Sequence, residues 1–345
     1  MVSRLHSATM KRAILVGAGG MGRAWARNLT DHGGVQIAAW VDVMPGQAAR
    51  SAEELNLQVP TFESLSDALK EGADFVVDVT IPEAHEAVTL EALAAGLPVL
   101  GEKPMTVSME SAQKMVKASE DAGKLYMVSQ SRRYDGRQTA FKTLVDQLGG
   151  IGILNADFYI GAHFGGFRDV MDHVLILDMA IHTFDQARHI SGLDPVSVYA
   201  EEFNPNWSWY KHGSSATCLF EMEGGAKFNY RGSWCADGLH TSWEGEWRAV
   251  GPNGTAKWDG HSQIQAELIE GNEGFHRPVR SLHADLVDEP GGIAGSLREF
   301  LHALETGATP KGECHDNIKS LAMVFGAIES AKRGERVSIE EMLEA

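Results

Sequence analysis

Cysteine, basic residues and long apolar runs are all scarce in this sequence of 345 residues. The three cysteines lack paired or metal-like spacing, which argues against a disulfide framework and favours a reducing compartment. With 30 Lys and Arg against 47 Asp and Glu, the formal net charge of −17 argues against a nucleic-acid-binding surface. No apolar run approaches the ~20 residues of a membrane span, and residues 1–10 lack the apolar core of a signal peptide. We therefore expect a cytoplasmic protein without nucleic-acid or membrane partners, in which residues 1–9 form a frayed extension or precede an alternative start.

The remaining composition is that of a globular protein, 43% hydrophobic and 22% charged, and the length suits two domains. From Lys11 the sequence alternates apolar strands with helical stretches. Strands are predicted at 13–16, 35–41, 74–79, 97–100 and 125–128, and helices include 21–29, 83–95 and 108–122. This alternation is typical of a parallel, doubly wound α/β sheet.

The turn after the first predicted strand carries the pattern G-x-G-x-x-G, in Gly17-Ala18-Gly19-Gly20-Met21-Gly22. Glycines there permit a tight turn and a close approach to a pyrophosphate, which the N-terminus of the next helix faces. Asp42 lies about 20 residues further on, at a strand end, where a carboxylate accepts bonds from ribose hydroxyls and repels a 2′-phosphate. The pattern predicts NAD rather than NADP, although Arg50 lies close enough in sequence to favour NADP. The alternative is a glycine turn beside an unrelated surface Asp.

Two further segments resemble the Gfo/Idh/MocA family, which includes glucose–fructose oxidoreductase and inositol dehydrogenase. The first runs from Thr80-Ile81-Pro82-Glu83-Ala84-His85 to Glu102-Lys103-Pro104, and Glu-Lys-Pro after the fifth strand is a hallmark of that family. The second is the Asp-x-x-x-His of Asp178 to His182. Ser131-Arg132-Arg133-Tyr134 and the helix around 327–331 are also similar, so the resemblance spans almost the whole chain. One departure is Ala180, where many members have Gly.

The resemblance implies an N-terminal Rossmann dinucleotide-binding domain and a C-terminal α+β domain with a mostly antiparallel, open sheet. We expect these domains at 1–133 and 134–345, with a helix at about 316–333 that packs back on the first domain. Longer alternating strands at 196–202, 216–223, 226–234 and 246–250 agree with the second domain. A free sheet face often forms a subunit interface in the family, which implies a homodimer or homotetramer. The row of Phe228, Tyr230 and Trp234 fits either such an exposed face or a core.

Oxidation of an alcohol by hydride transfer needs a base for the hydroxyl proton and a donor that steadies the oxygen. Asp178 and His182 are four residues apart on a predicted helix, so the carboxylate can orient the imidazole. The resemblance implies that His182 is the general acid/base, with Asp178 as its partner or as a substrate ligand. It also implies that Lys103 hydrogen-bonds the reacting oxygen and the ribose. Considered alone, Lys103 could be an ordinary surface lysine. Asp178 and His182 alone could be an ordinary pair on a helix.

The predicted cofactor-binding residues are Gly17, Gly19, Gly20, Met21, Gly22, Asp42, Thr80, Pro82, His85, Glu102 and Lys103. The predicted substrate-binding residues are polar side chains around a concave site, because a polyol needs several fixed donors and acceptors. They are Lys103, Arg132, Tyr134, His163, Arg168, Asp172, Asp178 and His182, with His173 as a further candidate. Trp207, Trp209 and Tyr210 suit either a pyranose face or lid packing. No metal is predicted; the alternative is zinc on Asp178 and His182 with Cys218, His173 or His189.

These residues predict an NAD-dependent dehydrogenase that acts on a secondary hydroxyl of a sugar, glycoside or cyclitol. One alternative is a glycoside hydrolase that oxidises its substrate transiently with bound NAD and produces no net NADH. Another is a non-catalytic, dinucleotide-sensing regulator. The presence of Lys103, Asp178 and His182 argues against the regulator, because a regulator needs only the Gly17–Gly22 turn.

Overall fold

The computed structural model describes residues 10–288 and 290–344, so the extension predicted at residues 1–9 lies outside the described residues. The chain divides into two compact units. Unit 1 comprises the chain up to Ser129 together with Ile293–Asn317, and unit 2 comprises Gln130–Gly292 and the chain from Ile318. Residues 293–317 interrupt the second unit along the chain, and no sequence pattern assigns them to the first. The domain limits 1–133 and 134–345 stay predictions.

Unit 1 is built on a six-stranded parallel sheet in the order β3-β2-β1-β4-β5-β6. Its strands are β1 (Lys11–Val16), β2 (Val35–Val41), β3 (Thr61–Phe62), β4 (Phe75–Asp78), β5 (Val99–Glu102) and β6 (Tyr126–Ser129). Its first helices are α1 (Gly20–Asp31), α2 (Gln47–Glu54), α3 (Leu65–Ala68), α4 (Pro82–Ala94) and α5 (Met109–Ala122). Strands β4, β5 and β6 are buried at every position, as in parallel sheets covered on both faces. The strand order reverses between β1 and β4, and ligands of such sheets bind at the carboxyl ends of the strands there.

Local sequence explains where these helices begin and end. Pro82 occupies the first position of α4, where its fixed φ suits a helix and its missing N–H is not needed. The hydroxyl of Ser108 accepts a bond from the Ser111 N–H at the start of α5, and Gly123 ends that helix with φ +59°. The helices are thus placed by residues readable in the sequence.

Unit 2 is built on a nine-stranded sheet in the order β14-β13-β12-β11-β7-β10-β9-β8-β15. The strands are β7 (Ile153–Tyr159), β8 (Pro195–Phe203), β9 (Ser215–Met222), β10 (Lys227–Ser233), β11 (Glu246–Gly251), β12 (Gly254–Trp258), β13 (Ile264–Ile269), β14 (Val279–His283) and β15 (Val337–Ser338). The β7–β10 pair is parallel and the other described pairs of this sheet are antiparallel. The predicted fold class, a Rossmann domain followed by a mostly antiparallel α+β domain, is confirmed.

The later helices are α6 (Gly136–Val145), α7 (Ile181–Ser191), α8 (Gly292–Thr306), α9 (Cys314–Arg333) and α10 (Ile339–Glu344). From Ile293, α8 belongs to unit 1, where the Phe300 ring lies 5.3 Å from that of Phe75 in β4. Among the described residues, no helix combines the length and apolarity that crossing a membrane requires.

One face of the nine-stranded sheet packs against α7. The ring of Phe184 in α7 lies 6.2 Å from that of Phe228 and 5.2 Å from that of Tyr230. Phe228, Tyr230 and Trp234 are at most 2% exposed. The exposed-face interpretation of this row is therefore wrong, and these residues belong to the core of unit 2.

The opposite face of the sheet, which we call the open face, is polar. Arg231 donates two bonds of 2.7 and 2.6 Å to Asp157 there. A cavity of about 650 Å³ lies along this face. Its polar lining includes Asn155, Asp157, Asn229, Arg231, Glu246, Arg248, Lys257 and Gln265. The residues of the open face alternate with the core residues along the same strands, as the two-residue period of a β-strand requires.

Candidate functional site

The glycines of the Gly17–Gly22 turn fall into two kinds. Gly17 has φ +103°, and a Cβ there would lie 2.6 Å from the Val79 carbonyl oxygen. A Cβ on Gly22 would lie 2.2 Å from the Gly17 carbonyl oxygen, so the turn itself requires these two glycines. A Cβ on Gly19 or Gly20 would meet no atom within 4 Å. The open space before α1 fits a pyrophosphate, because the first N–H groups of a helix bind anions.

Asp42 follows β2 and is fixed by two backbone donors. Its Oδ2 accepts a bond of 2.8 Å from the Ala18 N–H, and its Oδ1 accepts one of 2.9 Å from the Met44 N–H. The Ala18 carbonyl oxygen in turn accepts a bond of 2.8 Å from the Ser51 hydroxyl. The carboxylate oxygens keep lone pairs for further donors. Asp42 therefore holds the glycine turn in place and can still accept ribose hydroxyls.

Thr80 and His85 lie beside the end of β4. The buried Asp78 accepts bonds from the Thr80 N–H and hydroxyl, at 3.1 and 2.7 Å, and burial raises the pKa of its carboxyl. His85 is 2% exposed, and its Nδ1 and Nε2 lie 3.0 and 3.1 Å from the carbonyl oxygens of Pro104 and Thr80. The His85 ring thus connects the loops that follow β4 and β5.

Glu102 ends β5 and Lys103 follows it directly. The Trp25 indole N–H donates a bond of 2.8 Å to Glu102 Oε1, and the Lys103 N–H donates one of 3.0 Å to Oε2. Burial raises the pKa of the Glu102 carboxyl. Glu102 therefore ties the backbone of Lys103, just past the carboxyl end of β5, to α1.

In unit 2, Asp178 lies in a π-helical turn, Leu175–Ala180, that leads into α7. The sequence predicted a single α-helix carrying Asp178 and His182, but the wider i to i+5 winding places them in differently wound segments. Single π-turns are frequent at functional sites. Arg168 Nε lies 2.6 Å from Asp178 Oδ2, so the structure brings these two predicted substrate residues together.

Two aromatic rings also lie close to the Arg168 guanidinium. Its guanidinium carbon lies 4.9 Å from the centre of the Phe164 ring and 4.7 Å from that of Phe167. Cations over aromatic faces are stabilised by the ring quadrupole. The rings and Asp178 together therefore fix the orientation of the Arg168 side chain.

Arg132 and Tyr134 lie in a short 3-10 segment, Ser131–Tyr134, and Tyr134 is buried. Arg132 Nε lies 3.4 Å from Glu244 Oε2, and its NH1 donates a bond of 3.4 Å to Gln186. Burial lowers the pKa of the Arg132 guanidinium, although the neighbouring Glu244 carboxylate opposes that shift. Arg132 is thus held by partners other than Asp178 and Arg168.

His163 and Asp172 form separate pairs. His163 Nε2 lies 3.3 Å from Asp237 Oδ1, and its ring stacks on Trp209 at 3.6 Å between centroids. Asp172 Oδ1 lies 3.1 Å from His212 Nδ1. The predicted substrate residues His163 and Asp172 therefore each pair with a residue that the sequence analysis did not single out.

The other candidates of the same region differ in exposure. Trp207 is 71% exposed, and its indole N–H donates to the Cys235 carbonyl oxygen at 3.2 Å. Tyr210 is buried, and burial raises its pKa to about 12. The additional candidate His173 pairs with Glu202. Trp207 is thus the aromatic residue of its loop that is both exposed and anchored.

Sequence reasoning missed the residues that pair with the candidates, namely Glu244, Gln186, Asp237 and His212. Each lies far along the chain from its partner, or follows it without a regular spacing. No motif signals such contacts, because they depend on how the strands and loops of unit 2 pack.

Among residues 10–288 and 290–344, side chains of metal-ligand type come together at Glu313, Cys314 and His315. Their ligand atoms lie within 4.8 Å of one another. The group includes none of the residues of the zinc alternative. Its members bond to each other, since Cys314 Sγ and His315 Nδ1 lie 3.0 and 2.7 Å from Glu313 Oε1.

Known proteins share this architecture. A family model described as an oxidoreductase family with an NAD-binding Rossmann fold matches residues 11–130, and a model of the GFO/IDH/MocA C-terminal domain matches residues 166–257. An uncharacterised protein of Sinorhizobium fredii, y4oX, is 29% identical over 97% of each chain. The inositol 2-dehydrogenase of Rhizobium meliloti is 25% identical over 94% of this chain and 98% of its own.

A solved structure shows the same fold. An oxidoreductase from Agrobacterium radiobacter, in complex with NAD+, L-tartaric acid and magnesium, has a TM-score of 0.84. It is 24% identical, and the match covers 97% of this chain and 100% of the other. The two family models together match more than half of this chain, in the expected order. The chain belongs to the Gfo/Idh/MocA family of NAD-binding oxidoreductases.

Proposed function

We propose that this protein is an NAD-dependent dehydrogenase that oxidises a secondary hydroxyl of a sugar, glycoside or cyclitol, or reduces the matching ketone. The Gly17–Gly22 turn carries the cofactor part of the proposal, because Gly19 and Gly20 leave open space where a pyrophosphate would lie. The substrate class rests on the Rhizobium meliloti relative, an inositol 2-dehydrogenase that aligns along nearly the whole chain.

In the proposed site, the glycine turn and Met21 at the start of α1 bind the pyrophosphate, and Asp42 accepts the ribose hydroxyls. Thr80 and Pro82 line the carboxyl edge of β4. His85 and Glu102 support the site indirectly. Both are buried, and they hold the loops that carry Thr80 and Lys103. When bound, the nicotinamide supplies the hydride acceptor.

Lys103 is proposed to donate a hydrogen bond to the oxygen of the reacting carbinol. Its place after β5, at the carboxyl edge of the sheet, is where doubly wound folds hold their ligands. A positive charge there stabilises the oxygen as its proton leaves. Glu102 accepts a bond from the Lys103 N–H and so holds the backbone from which this side chain extends.

His182 is proposed to take the hydroxyl proton while the hydride leaves the same carbinol, so that one C–H and one O–H bond break and a C=O bond forms. Asp178, fixed by Arg168, orients His182 or accepts a substrate hydroxyl. Arg132, Tyr134, His163 and Asp172 are proposed to bind the remaining hydroxyls. Their donors and acceptors suit a polyol rather than an apolar substrate.

A substitution of Lys103 tests this assignment. Lys103→Met should leave NAD+ affinity, measured by calorimetry, within a few fold of the parent. Turnover should fall by ~10²–10³, the usual cost of removing one donor that stabilises a developing charge on oxygen. Lys117→Met, which removes an exposed lysine on α5, is the matched control. Unchanged turnover in Lys103→Met would remove this residue from the mechanism.

A further inference from the structure

A cavity of about 370 Å³ lies at the carboxyl ends of β2 and β3, beside the start of α2. Two carboxylate residues, Asp42 and Glu63, belong to its wall, together with Gly46. Glu63 matches no sequence motif and has no part in the site described above. Its presence beside Asp42 bears on which dinucleotide the protein accepts.

The strand register places Glu63 next to Asp42. Val41 of β2 pairs with Phe62 of β3, and the Asp42 N–H donates a bond of 3.1 Å to the Phe62 carbonyl oxygen. Asp42 and Glu63 are the residues that directly follow the two parallel strands. Neighbouring strands lie about 5 Å apart, and residues in register point to the same face of a sheet. The wall of the cavity therefore carries two carboxylates on neighbouring segments of the chain.

A cation lies close to the same cavity. The Arg50 guanidinium donates bonds to Gln47 Oε1 at 2.9 Å and to the Pro45 carbonyl oxygen at 3.4 Å. It also lies 3.2 Å from where a Cβ on Gly46 would be. An arginine beside the adenosine ribose is the residue that accommodates the 2′-phosphate of NADP. Arg50 alone would thus favour NADP, and the two carboxylates oppose it.

We propose that Glu63 is a specificity-determining residue that excludes the 2′-phosphate of NADP together with Asp42. The inference rests on the proposed binding of NAD at the Gly17–Gly22 turn with its ribose at Asp42. A phosphate monoester carries nearly two negative charges at neutral pH, so each carboxylate near it raises the cost of binding NADP. Because two carboxylates share this task, loss of Asp42 alone leaves part of the discrimination in place. Arg50 becomes a productive phosphate ligand once both are neutral.

The ratio of NADP+ to NAD+ affinity, measured by titration calorimetry at fixed salt, tests the inference without any substrate. The proteins are the parent, Asp42→Ser, Glu63→Gln and the double variant. Glu63→Gln should shift the ratio toward NADP+ by about tenfold, and the double variant should shift it further than either single change. Adding Arg50→Gln to the double variant should reverse most of that gain.

Glu53→Gln is the matched control, because it removes one negative charge from α2 at a position outside the cavity wall. A ratio in Glu63→Gln equal to that of this control would overturn the role of Glu63 while leaving the proposed dehydrogenase intact. A parent protein that binds neither dinucleotide would overturn both. Binding of NAD+ with the predicted Glu63 effect, but without any dehydrogenase activity, would overturn only the proposed function.

Discussion

Single glycines of the Gly17–Gly22 turn decide two different properties, stability and cofactor affinity. In Gly22→Ala the new methyl group would lie 2.2 Å from a carbonyl oxygen of the same turn, so we expect a loss of about 2 kcal/mol or more in unfolding free energy. In Gly19→Ala no atom lies within 4 Å, and stability should stay within about 0.5 kcal/mol. NAD+ affinity should fall in both variants. Urea unfolding and calorimetry measure the two effects.

Equal losses of stability in Gly19→Ala and Gly22→Ala would contradict this division of roles. A Gly19→Ala variant that binds NAD+ like the parent would show instead that the open space before α1 does not hold the pyrophosphate.

At the residue scale, the sequence predicted the candidate site residues that belong to local motifs. The glycine turn and Asp42 at the end of β2 were predicted from strand ends and spacing, and Lys103 after β5 from the resemblance to the family. Glu63, Glu244 and Gln186 were not, because nothing in their own neighbourhood marks them. Strand register or contacts across unit 2 bring them to the candidate residues, and the linear sequence does not display either.

The start of α9 is joined to α5 by His315. Its Nε2 lies 2.8 Å from Glu120 Oε1 of α5, and its Nδ1 lies 2.7 Å from Glu313 Oε1. These bonds, with Glu120 first, raise the pKa of His315. A raised folded pKa means that the contribution to stability is complete below about pH 6.5 and is lost as pH rises through the folded pKa.

His315→Gln should therefore cost stability mainly at acidic pH. We expect about 0.5 kcal/mol near pH 6, a small figure because the pair is half exposed, and almost nothing above about pH 9. Urea unfolding at both pH values measures the difference, with His302→Gln on α8 as the matched control. A cost that does not change with pH would show that packing, not charge, is what His315 contributes.

At the scale of elements, the sequence predicted the regular parts of the fold and missed the irregular ones. β2 was placed with its observed limits, and α4 and α5 were placed within a residue or two, because Pro82, Ser108 and Gly123 mark them. The two-residue β3 is too short for a periodic signal. The π-helical turn around Asp178 uses the same residue types as an α-helix, so its wider winding has no sequence signature.

At the scale of the whole molecule, the open face of the nine-stranded sheet bears on how the chain assembles. We propose that it forms the interface of a homodimer or homotetramer, because it is a broad, mixed-charge surface on the side of the sheet opposite α7. The amides of Asn155 and Asn229 contact each other there at 2.8 Å. Asn155→Arg with Asn229→Arg would place several like charges across a two-fold interface.

Light scattering should then report an oligomer for the parent protein and a single chain for this double variant. Lys332→Glu, an exposed change near the end of α9, is the control and should keep the parent mass. A monomeric parent, or a double variant with the parent mass, would contradict the proposed interface.

At the scale of the whole molecule, we propose that the protein transfers hydride between NAD and a carbinol of a sugar or cyclitol. The most direct measurement follows NADH absorbance with the purified protein, NAD+ or NADP+, and a panel of aldoses, glycosides, acidic sugars and inositols. We predict a rise with NAD+ and one substrate class, lost in Lys103→Met. A flat trace across the panel, with NAD+ shown to bind, would contradict the claim and favour an enzyme that retains its cofactor and makes no net NADH.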